Sequence, residues 1–163
     1  MNRAIDDMQH QGGLVEFPTR KPLANLLLGG IALFAISFVA TWYRVWWDSI
    51  IGLVVTILGY YSIRNENLVP MGLSFDMAYF GSILSFLLHG VAFGIIAGEL
   101  SVKHVLTIVK LDNPPPPGLL IFVLVVELIL LGYSGVVMSW YYKFRAEIKH
   151  TEAKADQDYR ELI

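Results

Sequence analysis

Two ionisable side chains stand inside apolar runs, where an ionised group is costly. The stretch FVLVVELILLGYSG, residues 122–135, carries Glu127, and LLHGVAFGIIAGE, residues 87–99, carries His89. A carboxylate and an imidazole at the same membrane depth can relay a proton or hold an ion, the default suspicion for intramembrane ionisable groups. The same pair can also serve as interhelical glue, worth about 1–2 kcal/mol and often less. In either role the histidine donates to the carboxylate, or Glu127 carries its own proton, a neutral acid being cheaper away from water. No other chemistry stands out. The histidines His10, His89, His104 and His150 fall in a tail, a span, a loop and another tail, so no metal-ligand cluster is expected. No phosphate loop or nucleophile–base spacing appears. The expectation is a protein that is not an enzyme and has no metal and no cofactor.

The elements that must position His89 and Glu127 follow from composition. Of 163 residues 55% are hydrophobic and only 16% charged, the profile of a polytopic membrane protein. The net charge of −2 gives no reason to expect nucleic acid as a partner. The absence of cysteine excludes disulfides and thiol chemistry. A bilayer core needs roughly 20 apolar residues of helix. Runs at about 22–43, 45–63, 77–100 and 118–142 meet or nearly meet that length, and they are continuously apolar rather than alternating. The expected fold is all-α: a four-transmembrane-helix bundle with a polar N-terminal tail (1–21) and a charged, helical C-terminal extension (143–163). The N-terminal tail has no apolar core of a signal peptide, so the first span is expected to serve as the signal.

Arg3, Arg20, Lys21 and Arg64 lie on the same side as Lys143, Arg145, Lys149, Lys154 and Arg160, against Arg44, Lys103 and Lys110 opposite. The positive-inside rule then places both termini in the cytosol or its equivalent. On that orientation His89 lies about 18 Å and Glu127 about 16 Å from the cytosolic edge at 1.5 Å per residue, so a contact between them is expected. Spans one and two show almost nothing polar at mid-depth and Glu99 falls near the far interface, so no polar path of the kind a transporter uses is apparent. That weighs toward glue.

The aromatic residues Trp42, Tyr43, Trp46 and Trp47 in TWYRVWWDS suit interfacial anchoring. Arg44 and Asp48, four apart, would pair on a helical turn. Gly90, Gly94 and Gly98 form one small-residue face, a signal for a tight helix contact within the chain or with another. Val102, Val105 and Val109 extend the third span's helical spacing, and Pro114–Pro117 read as a stiff spacer before the fourth. In the C-terminal extension Lys143–Glu147, Lys154–Asp158 and Asp156–Arg160 are opposite charges at helical spacing, and Phe144, Ile148, Thr151, Ala155, Tyr159 and Leu162 form a weakly apolar stripe. Asp158 with Leu162 and Ile163 has the form of an acidic dileucine sorting signal. Tyr159 to Leu162 fits a tyrosine-based one, so a cytosolic adaptor is a candidate partner. An adaptor reads an extended peptide, whereas a docked subunit keeps this tail helical.

Two resemblances enter here. VVELILLGYSGVV is similar to the proton-carrying segment of the proteolipid rotor subunit of vacuolar-type proton ATPases, which implies that Glu127 is a proton site. The chain departs from that family in its sparser glycine, its short aromatic first loop, its long tails and its orientation. The whole-chain layout, with a short first hairpin and LGYYSIRNEN closing the second span, resembles MARVEL-type and tetraspanin-like four-span proteins. It lacks the large cysteine-bearing loop of tetraspanins. A MARVEL-like resemblance implies vesicle trafficking or organisation of membrane domains. The leading expectation is an accessory or scaffold subunit, its partners the bilayer and other membrane subunits or copies of itself. The alternative is a small proton- or ion-handling protein centred on His89 and Glu127.

Overall fold

The computed structural model describes residues 17–42, 44–65, 70, 72–105 and 116–161. These form four helices: α1 (Arg20–Thr41), α2 (Trp46–Ile63), α3 (Leu73–Val105) and α4 (Pro117–Glu161). All four carry segments long and apolar enough to cross a membrane. The chain is an all-α, multi-pass membrane protein with no strand among the described residues.

The boundaries have local causes. Pro22 sits in the first turn of α1, where a missing amide donor costs nothing, and Pro117 opens α4 for the same reason. Gly72, with φ of 94°, turns the chain into α3 and accepts the amide of Asp76. The helix ends differ by a few residues from the expected runs: the first stops at Thr41 rather than residue 43, for example, and the third begins at Leu73 rather than residue 77. The C-terminal extension continues α4 without a break through Glu161.

In the bundle α1 packs on α2, α2 on α3, α3 on α4, and α4 back on α1. The outer faces are apolar: Ile36, Val39, Leu87, Val91, Leu128 and Ile129 are all exposed. Inside lie Asp48, His89, Glu127 and the hydroxyls of Thr41, Ser49, Thr56, Ser85 and Ser134. Polar groups inward and aliphatic groups outward is the distribution that lipid surroundings require.

Isolated glycines admit large side chains at the helix contacts. A β-carbon at Gly52 on α2 would come 2.5 Å from the Phe34 ring of α1, and one at Gly81 on α3 would come 2.8 Å from Val55 of α2. One at Gly30 on α1 would overlap the Tyr133 hydroxyl of α4, and one at Gly59 on α2 the Tyr141 hydroxyl. The expected Gly90–Gly94–Gly98 face is only lightly used among the described residues. None of them lies within 4 Å of a β-carbon at Gly94 or Gly98, and at Gly90 a Leu131 methyl approaches, at 3.9 Å.

The end of the bundle that carries both tails is tied by polar contacts to helix termini. The Arg20 guanidinium donates to the carbonyls of Ile63, at 2.8 Å, and Asn65, closing the C-terminus of α2. Glu147 accepts from the Thr19 amide and hydroxyl, at 3.4 and 2.5 Å, which puts a carboxylate at the positive end of α1. Phe17, Leu23, Ile63, Phe75, Tyr141, Phe144 and Ile148 pack together beneath these contacts. Phe144 and Ile148 of the apolar stripe are thus spent inside the chain. Lys143, expected to pair with Glu147, instead lies over the Trp140 ring.

Candidate functional site

Three spans each contribute one ionisable side chain to a single point. His89 comes from the middle of α3, Glu127 from α4, and Asp48 from the first turn of α2. His89 Nδ1 lies 3.1 Å from Asp48 Oδ2 and 3.2 Å from Glu127 Oε2, and all three side chains have no exposed surface. The donor atoms of the three lie within 4.8 Å of one another. The expected His89–Glu127 proximity is present.

Asp48 is the residue that sequence reasoning missed. The Arg44–Asp48 pairing expected within the aromatic turn does not form. Arg44 grips Glu99 of α3 with a forked contact, Nε lying 3.2 and 3.1 Å from the two carboxylate oxygens and a terminal nitrogen 2.5 Å from Oε1. Asp48 instead turns inward, its Oδ1 accepting the Ser49 amide at 2.6 Å and its Oδ2 facing His89. The only available signal was a carboxylate in the first turn of an unusually short span.

The surroundings are dry and aromatic. The Phe34 ring stacks on the imidazole, with centroids 5.4 Å apart and planes 14° apart, and is itself received by Gly52. Toward the α1–α2 turn, Val45, Ala92, Ile96, Leu120 and Val123 close the bundle. Thr41 donates to the Ser37 carbonyl at 2.9 Å, and its hydroxyl lies 3.3 Å from that of Ser49. Toward the tail end the buried interior carries more hydroxyls: Ser85 one turn from His89, Ser134 two turns from Glu127, and Tyr141 beyond it. The hydroxyls of Ser85, Ser134 and Tyr141 have no hydrogen-bond partner among the described residues, nor do His89 Nε2 and Glu127 Oε1.

This centre can hold positive charge. One Nδ1 proton facing two carboxyl oxygens satisfies neither fully, and two carboxylates in so dry a place need a compensating cation, whether protons or a metal ion. The scattered histidines gave no hint of such a ligand set, because two of its three members are carboxylates.

Of the other expected residues, Trp42 and Trp46 are exposed at the α1–α2 turn and Trp47 is partly buried against the apolar cluster there. Tyr43, Leu162 and Ile163 lie outside the described residues, as do Val109 and Pro114. Asp158 and Tyr159 fall on the last helical turns of α4. Comparison of the chain with protein-family models, curated proteins and solved structures finds no match to any of them.

Proposed function

We propose that this is a small ion-handling membrane protein that binds and exchanges a cation at Asp48, His89 and Glu127. The observation that carries the reading is the convergence of three fully buried ionisable groups from three spans. Glue needs only two such groups, and a second carboxylate as the third member adds a desolvation cost that packing alone does not return. The buried hydroxyls of Ser85, Ser134 and Tyr141, between the centre and the tail end, are polar groups of the kind a proton pathway draws on. On the lysine and arginine asymmetry, that end faces the cytosol.

The test is proton uptake by the purified protein after a small acid pulse, read with a pH dye, alongside the infrared signal of its carboxyl groups. Wild type takes up protons with a change in a buried carboxyl band, and Glu127→Gln loses both. A folded Glu127→Gln protein with unchanged uptake and spectrum would leave the centre a structural strut.

A second reading is supported by the open Gly94 and Gly98 face and by α4 continuing helical to Glu161. These favour docking in a larger membrane assembly over a vesicle-sorting role, since an adaptor reads an extended tail. Native purification in mild detergent with identification of co-purifying chains checks it. The reading involves no catalysed reaction.

A further inference from the structure

We infer that the cation held by Asp48, His89 and Glu127 is a divalent first-row transition metal ion of the zinc class; this rests on the reading of the trio as a cation site and names its occupant.

The two contacts of His89 have the donor spacing of such an ion, and all three donors lie within 4.8 Å of one another. Bonds of about 2.0–2.2 Å from imidazole nitrogen and carboxylate oxygen to such an ion put neighbouring donors roughly 3.0–3.5 Å apart. His89 Nδ1 stands 3.1 Å from Asp48 Oδ2 and 3.2 Å from Glu127 Oε2. The second observation is Glu127 Oε1, on a side chain with no exposed surface and with no partner among the described residues. A two-point grip by Glu127 makes this atom the fourth donor, completing one nitrogen and three oxygens. Asp48 Oδ1 is already occupied by the Ser49 amide, which fixes that carboxylate as a one-point ligand.

The donor chemistry narrows the ion. Calcium seeks six to eight oxygens, and magnesium keeps several waters in a near-octahedral shell. Neither suits a closed pocket with an imidazole and the Phe34 ring against it. Copper(I) selects thiolate and thioether, which the trio lacks. Charge favours a divalent ion: two carboxylates with a neutral imidazole carry −2, and one M²⁺ brings the dry centre to zero without leaving a buried net charge.

The experiment uses the full chain purified in mild detergent, stripped with a chelator and titrated with Co²⁺, whose visible absorption reports ligation. The expected result is one Co²⁺ per chain, displaced by Zn²⁺, with the ring-proton resonances of His89 shifted by the bound ion. Asp48→Asn and Glu127→Gln weaken binding by about 100-fold or more, beyond the 10–100-fold typical of outer-shell changes. Glu99→Gln, a carboxylate outside the centre, leaves it unchanged. Should the centre variants fail to fold, the wild-type stoichiometry and the His89 resonances decide alone.

Absence of Co²⁺ uptake by folded wild type, or uptake that leaves His89 unmoved, overturns the metal assignment. Acid-pulse proton uptake then separates the two readings. Uptake lost in Glu127→Gln keeps a proton-exchanging centre without a metal, and no uptake removes both.

Discussion

Asp48 and His89 meet at 3.1 Å across the α2–α3 contact, although one begins a helix and the other occupies the middle of its own. This contact turns a two-group pair into a three-group centre and makes its energetics testable. Removing one member of a buried charged set leaves the rest uncompensated and costs about 3–5 kcal/mol. His89→Leu should therefore destabilise strongly. The triple variant Asp48→Leu, His89→Leu, Glu127→Leu should recover most of that loss, because apolar replacement of an entire buried ionic set is often neutral or stabilising. Reversible unfolding in mixed micelles measures both. A triple variant as unstable as the single one would show that the trio is retained for stability.

Gly52 gives a second prediction. A β-carbon there would come 2.5 Å from the Phe34 ring, and that ring lies on His89. Gly52→Ala should cost about 1–3 kcal/mol through overpacking and displace the ring from the imidazole. Gly98→Ala should change unfolding of the isolated chain by less than about 0.5 kcal/mol, since nothing lies within 4 Å. If Gly98→Leu breaks an assembly while leaving the isolated chain folded, the open face is where a partner sits.

At the tail end, Arg20 closes α2 through two carbonyl oxygens, Ile63 and Asn65. Arg20→Ala should cost about 1.5–3 kcal/mol, the range for hydrogen bonds to charged groups. Lysine should restore only part of this, because an ammonium does not reproduce the guanidinium fork. Thermal unfolding of the two variants side by side gives the comparison.

The Arg44–Glu99 contact should matter much less. Its side chains are 42% and 28% exposed, so Glu99→Gln should cost about 0.2–1 kcal/mol, shrinking as salt is added. An effect that persists in high salt would mean the turn is pinned by something other than charge.

How much of this was legible depended on range. The four spans are visible because each is a continuous apolar run near the length a bilayer demands. His89 and Glu127 could be matched because depth along a straight helix is simple arithmetic. Asp48 escaped that arithmetic. It sits in the first turn of α2, which put it at the interface by count. Yet the turn before it is inset: Val45 packs beside Ile96 and Leu120, while α3 continues past to Val105. An acceptable local partner, Arg44 four residues away, further hid its true one. The packing glycines were illegible for a different reason. Gly30, Gly52, Gly59 and Gly81 each receive one or two side chains from other helices, and such individual fits leave no repeat. Of the repeat that does show, Gly94 and Gly98 meet none of the described residues, and only Gly90 touches another helix.

Because α2, α3 and α4 each supply one member of the trio, none of these helices can separate or rotate without dispersing the centre. Occupancy and helix assembly are therefore one linked equilibrium. Whatever fills the centre stabilises the assembled bundle in proportion to the logarithm of its concentration above the dissociation constant. If the centre holds a cation as proposed, an emptied bundle would be a looser protein, more open to membrane proteases, and the lifetime of the chain in its membrane would report how much of that cation the cell has to spare.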